Sequence, residues 1–296
     1  MEYQFVVSGE RVRLDVLVNV DSSVVGLEVD SCKIISMAYD EYLSIVKGIM
    51  GIGELKHFER TVRKYHAIQD DRLIVLETVE KKDVSNLALP ELYFDWMKFY
   101  KSADIFSCYK VSYKYESGKI KFGGLGEVLL REHGIIIPTK RYSMKPEEKV
   151  DFKYWVDTHQ KICTSKVNDK FGKMKRLYLE SYLLDDSDLS FVMLNIVLEM
   201  FAGASTEVSF RISRNVSFFL STNLEEMKIN YSKIRKLYGI RSKYVHEGKT
   251  VSWDDLFELR EMVRSILVLM YEKSMHLPEY DFKEYLKELG MYGYVE

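Results

Sequence analysis

No window of the chain comes near the roughly 18 consecutive apolar residues that a membrane-crossing helix requires. The opening stretch from Met1 to Val16 also lacks the basic-then-apolar layout of a secretory signal. A cytoplasmic protein that makes no membrane contact is therefore expected. Cysteine is scarce: Cys32, Cys108 and Cys163 are odd in number and far apart, which excludes a disulfide framework, a zinc site and a redox pair. The six histidines, His57, His66, His133, His159, His246 and His276, include no pair three or four apart, so neither a metal nor a cofactor is expected. No Gly-x-Ser-x-Gly elbow occurs. The glycine-rich stretch Gly123 to Gly126 lacks the Lys-Ser/Thr of a phosphate loop and the third glycine of a dinucleotide fingerprint, and reads as a turn. Nor is there a large excess of either charge, the formal net being −2.

What is present is the composition of a folded protein, 47% hydrophobic and 30% charged over 296 residues, long enough for two domains. The charge is unevenly distributed. Thr139 to Leu177 carries eleven Lys or Arg against five Asp or Glu, and Asn223 to Thr250 carries seven against three. Such stretches can hold a polyanion locally on an acidic protein, although solvated helix faces are often lysine-rich as well.

The chain divides by texture into an α+β arrangement. Residues 1–140 read as a strand-rich mixed domain. Arg11 to Val20 alternates polar and apolar residues, and Tyr109 to Phe122 forms two alternating runs around Glu116, Ser117 and Gly118, the pattern of a hairpin. A sheet with one apolar and one wet face is expected. Helical spacing appears at Asp40 to Met50 and at Pro90 to Lys101, where Tyr93, Trp96, Met97 and Tyr100 recur at threes and fours as core positions. Gly134 to Pro146 carries two of the four prolines and is read as the linker.

Residues 147–296 read as an all-α bundle of five or six helices. The expected segments are Glu147 to Lys161, Lys170 to Leu184, a helix apolar nearly all round after Asp185 to Asp188, Glu207 to Leu220, a long helix capped by Asn223 and stopped by Gly248, and a last one opened by Ser252 to Asp255. The all-round apolar helix, with Phe191, Val192, Leu194, Ile196, Val197, Leu198, Met200 and Phe201, is placed in the middle of the bundle.

One stretch carries chemistry: Leu237, Tyr238, Arg241, Ser242, Val245 and His246. It resembles the Leu-Tyr-x-x-Arg-Ser-x-x-Val-His-Gly motif of the HEPN superfamily, in its Apea-like branch, over about Asp188 to Met275. The chain departs from that pattern at Glu247, which intervenes before Gly248. The resemblance implies a HEPN-type helical fold, a ribonuclease that works without metal, and a composite site formed between two domains, hence a homodimer. It also implies a setting in anti-phage defence or toxin-like growth arrest, with RNA such as tRNA as substrate and an antitoxin or phage-derived trigger as a further partner. The residues 1–140 would then sense the trigger or restrain the nuclease.

The residue types fit that chemistry independently. Cleavage by the RNA's own 2′-hydroxyl needs a base near neutral pK and a cation for the crowded phosphate, and His246 and Arg241 supply them. Five residues apart on a helix, they point about 140° away from each other, so one chain makes a poor site and a two-fold pair of chains a better one. Ser242 would orient a phosphate or the histidine, Lys243 and Lys249 would attract RNA, and Tyr244 is either a stacking platform or core. Glu199 and Glu207 are candidates for support by hydrogen bonds, Glu207 alternatively pairing with Arg211. The competing structural reading pairs Arg241 with Glu225, Glu226 or another carboxylate and leaves His246 as a helix C-terminal cation. The corresponding alternative function is a non-catalytic dimerisation or partner-binding module.

Overall fold

The computed structural model describes residues 11–49, 52–80, 90–102, 104–116, 119–122, 141–164, 169–184, 186–203 and 207–275. The expected turn at Ser117 and Gly118, the glycine-rich stretch at 123–126, the linker as far as Lys140, and His133 and His276 lie outside them. The chain forms two compact units that divide between Cys163 and Thr164.

In the first unit, seven strands make one antiparallel sheet: β1 (Arg11–Val18), β2 (Glu28–Val29), β3 (Cys32–Ala38), β4 (Ile68–Gln69), β5 (Arg72–Glu80), β6 (Phe106–Glu116) and β7 (Lys119–Phe122). The order is β2-β3-β5-β1-β6-β7, with β4 paired to β5. The expected hairpin is β6 with β7, in the register Glu116↔Lys119. The first strand among the described residues, β1, lies in the centre, between β5 and β6.

The expectation of one wet face is met only in part, because apolar cores lie on both faces of the sheet, while on the second face β1 and β6 carry the half-buried Arg13, Lys110 and Ser112 and the exposed Lys114. On one face, Val12, Leu14, Val16 and Val18 pack with residues of α1 (Tyr39–Ile49) and α2 (Ile52–Lys64), including Tyr42, Val46, Phe58 and Val62. On the other, Leu17, Ile34, Ile74 and Leu76 pack with α3 (Pro90–Tyr100) and α4 (Pro146–His159) through Tyr93, Trp96, Met97, Phe152 and Val156. The polar positions of β1 that suggested water are accounted for by Asp15, fully buried, which accepts two hydrogen bonds from the Arg13 guanidinium at 2.7 and 2.9 Å. Paired charges can be buried where isolated ones cannot.

Helix α4 also corrects the expected boundary, since it belongs to the sheet unit and not to the helical one. The Tyr100 hydroxyl donates to the Glu148 carbonyl at 3.1 Å and to Asp151 at 3.0 Å, and Lys101 pairs with Glu148 at 3.2 Å. A short helix, α5 (Lys161–Thr164), contains the division between Cys163 and Thr164.

The second unit is helical: α6 (Asp169–Glu180), α7 (Ser187–Ala202), α8 (Val208–Leu220), α9 (Leu224–Glu247) and α10 (Trp253–Met275). Its helix ends follow local chemistry. The Asp186 carboxylate accepts from the amides of Asp188 and Leu189, and the Asn223 side chain accepts from Glu226 N–H at 2.9 Å. Gly248, at φ 68°, stops α9 with its N–H on the Tyr244 carbonyl. Arg260 of α10 is buried, donates to the Ser181 carbonyl at 3.0 Å and lies 4.3 Å from the Tyr182 ring centre, tying α10 to the end of α6.

Helix α7 is less enclosed than its composition suggests. Phe191, Leu194, Val197, Leu198 and Phe201 are buried, but Leu189 and Ile196 are exposed, and Val192, Met193 and Met200 only half-buried. These five fall on one side of the helix at a helical period. The result is an apolar stripe that faces away from the unit's own core.

Candidate functional site

The sequence motif occupies the last three turns of α9. This 24-residue helix has only Ile234 and Leu237 among its fully buried positions, so it presents most of its circumference to solvent. Arg241 lies on the side facing α7, where its Nη2 is 3.2 Å from Glu199 Oε1. The Tyr238 hydroxyl donates to the same oxygen at 3.1 Å, and the guanidinium carbon lies 5.7 Å from the Tyr238 ring centre. Burial, then the charge and hydrogen bond of Glu199, hold the Tyr238 hydroxyl pKa above its ordinary value, which keeps the phenol a donor. The Arg241 and Glu199 side chains retain 24% and 28% of their accessible surface. Arg241 Nε is buried without a hydrogen-bond acceptor, a deficit of about 1–3 kcal/mol for a buried donor.

His246 lies in the final turn of α9 and is exposed. From Arg241 to His246 an ideal helix rises about 7.5 Å and turns about 140° further round. A single chain therefore turns the arginine toward α7 and the histidine elsewhere. Glu247 extends α9 by one residue, so Gly248 rather than residue 247 takes the left-handed position. The Glu247 carboxylate turns to Lys249 at 2.5 Å. That hydrogen bond and charge, with lesser contributions from Lys243 and His246, hold its carboxyl below the usual range. The added carboxylate is thus engaged by a lysine.

Of the other expected residues, Lys243 is exposed, and Ser242 and Tyr244 are half-buried. Glu207 sits at the N-terminal end of α8 with φ 48° and makes no side-chain capping bond. Arg241 takes as its partner neither Glu225 nor Glu226 but Glu199. The role of Tyr238 as a second ligand of that carboxylate was overlooked in the sequence, although its spacing of three from Arg241 places both on one helix side. The partnership with Glu199 crosses 42 positions and has no local signal.

Other chemistries find little support among the described residues. They contain no group of three His, Cys, Asp or Glu placed to hold a metal ion, and no helix long and apolar enough to cross a membrane. Burial pushes the Cys108 thiol up to about 12 and also raises that of Cys32, so both are held as inert thiols. No family model, no curated protein and no solved structure matches the chain.

Proposed function

We propose that the helical unit is a metal-independent endoribonuclease in which His246 moves the proton of the RNA 2′-hydroxyl and Arg241 of a second copy stabilises the pentavalent phosphate. The observation that carries this reading is the state of those two side chains. His246 is exposed on one side of α9, while the Arg241 guanidinium, held by Glu199, keeps 24% of its side-chain surface open on another. A phosphate oxygen is an acceptor suited to the open part of that guanidinium, and a two-fold copy is a source for the missing histidine. The outward apolar stripe of α7, from Leu189 to Met200, lies on the helix that holds Arg241 through Glu199 and offers a surface for such a copy. Lys243 adds sequence-independent attraction to RNA, and Lys249 would add to it on leaving Glu247. By its resemblance to HEPN ribonucleases, the protein's setting would be anti-phage defence or growth arrest on RNA such as tRNA, with the sheet unit as sensor or restraint and an antitoxin or phage-derived trigger as partner.

The non-catalytic dimerisation or partner-binding module is the second reading, and the ion pair of Arg241 with Glu199 favours it. Incubating total RNA and tRNA with the purified protein in excess EDTA separates the two. Cleavage is expected from wild type and lost in His246→Ala and in Arg241→Ala. Co-expressing these two variants should restore about a quarter of wild-type activity, because half of the dimers are mixed and each of those has one intact site of two. Equal cleavage by all three proteins would remove Arg241 and His246 from the mechanism. Loss without complementation would place the site within one chain.

A further inference from the structure

Helix α8 carries a feature that neither its packing nor the Arg241–His246 pair accounts for. Its inward side is continuous: Ile212, Ser213, Asn215, Val216, Ser217 and Phe219 are buried. Ser213 and Ser217 satisfy their hydroxyls on the carbonyls of Ser209 and Arg214. Its outward side presents Phe210 at 50% exposure and Phe218 at 42%, with Arg211 and Arg214 half-buried between them. Phe210, Arg214 and Phe218 follow each other at steps of four, the spacing that aligns side chains along one side of a helix. Two phenylalanine rings left in water are costly for a fold that could have placed polar residues there.

The position of this stripe relates it to Arg241. Helices α8 and α9 are joined by the short turn 221–223, and Asn230 Nδ2 donates to Ser221 Oγ at 2.9 Å, so the two run antiparallel from that point. Phe210 lies eleven residues back along α8 from Ser221, and Arg241 lies eleven residues on along α9 from Asn230. Each interval is about 16 Å of helix. By ideal helix rise, Phe210 and Arg241 thus fall at similar heights along the antiparallel pair.

We infer that the outward side of α8, formed by Phe210, Arg211, Arg214 and Phe218, is a stacking platform for single-stranded RNA that leads the strand to the level of Arg241. Exposed rings take the faces of unpaired bases, and guanidinium groups between them take the phosphates. The rings are about 12 Å apart along the helix, about the span of four stacked bases at roughly 3.4 Å each. A duplex, whose bases are already stacked on one another, offers the rings nothing, so the platform selects for single strands. The two arginines interleaved with the rings give the stripe a positive charge complementary to a phosphate backbone, which favours a nucleic acid over an apolar protein surface. The choice of RNA as the ligand rests on the ribonuclease reading, whereas the binding test below does not require cleavage.

The test uses full-length protein carrying His246→Ala, so that RNA stays intact, with fluorescein-labelled oligo(U) and a duplex RNA of equal length read by anisotropy. Adding Phe210→Ala and Phe218→Ala should weaken oligo(U) binding about ten- to a hundredfold and leave the duplex affinity within twofold. Adding Arg211→Ala and Arg214→Ala should weaken both ligands and flatten the salt dependence. The exposed positions make loss of fold a small risk, and circular dichroism of each variant checks it. Unchanged oligo(U) affinity in the phenylalanine variant overturns the proposal, as does the absence of any oligo(U) binding by the parent. A changed sedimentation coefficient with unchanged RNA affinity overturns it in favour of a protein interface. If the platform binds as expected but wild type cleaves nothing in EDTA, the nuclease reading alone fails.

Discussion

Gly239 stands inside α9 two residues before Arg241, and a Cβ built there would meet nothing within 4 Å. Glycine in a helix interior costs about 0.5–1 kcal/mol relative to alanine, and nothing in the chain's own packing requires it. Gly239→Ala should therefore raise the midpoint of thermal unfolding of the helical unit by a few degrees, followed by circular dichroism. If a second copy approaches α9 at this point, RNA cleavage should fall while stability rises. A lowered midpoint would show that the space is needed by the chain itself. At this scale the candidate pair was legible in the sequence because arginine and histidine carry their chemistry with them. Glu199 was legible as a supporting carboxylate, but its pairing with Arg241 was not. Glu199 is brought to Arg241 by the packing of α7 against α9, and no spacing rule connects positions 42 apart.

At the scale of elements, the ends of helices were the most legible features, because a cap is made by neighbours in sequence. The run Asp185 to Asp188, Asn223 and Gly248 mark helix ends by residue type alone, and the hydrogen bonds of Asp186, Asn223 and Gly248 match. Glu226 adds to the start of α9: its carboxylate accepts from the Thr222 N–H at 2.9 Å and the Thr222 hydroxyl at 2.8 Å. The backbone bond, then the hydroxyl, hold its carboxyl below the usual range. A folded-state pKa below the unfolded value of about 4.3 means stability that is present above that pH and lost as pH falls through the folded value. Helicity of α9 should accordingly fray below about pH 4.3, whereas in Glu226→Gln the decline should be shallower over the same window. An acid limb identical in both proteins would exclude this contact as a contributor. Less legible was the allegiance of elements. The periodicity of α4 reveals an apolar side but not which core receives it, and Phe152 and Val156 enter the sheet's core. The all-round apolar character of α7 did mark the central helix, which packs against α6, α8, α9 and α10, but it did not reveal that Leu189 and Ile196 stay exposed.

The α+β organisation was legible in outline for the whole molecule, since period-two and period-3.6 patterns separate cleanly along the chain. The core on the second face of the sheet was not, because the charged pair Arg13 and Asp15 imitates a solvent-facing alternation. Among the described residues, the two cores of the sheet unit draw only on those between Val12 and Cys163. A fragment of residues 1–163 should therefore unfold in one cooperative transition, while one of residues 1–145, cut before α4, should lose the packing of Phe152 and Val156 on Tyr93 and Trp96 and melt broadly or aggregate. Scanning calorimetry of the two fragments decides this. Equal cooperativity would return α4 to the helical unit.

The central place of β1 has a further consequence during synthesis. The strand leaves the ribosome before both of its neighbours, whose register positions extend to Glu80 and to Lys114, so at about 5–20 residues per second it waits several seconds for them. Over that interval the run from Val12 to Val18 is a nascent β-former rich in valine and leucine, the kind of segment that recruits other chains. Arg13 and Asp15 interrupt it with opposite charges that remain hydrated until β5 and β6 arrive and the two side chains close on each other. The ion pair inside the finished sheet is, on the ribosome, a pair of gatekeepers.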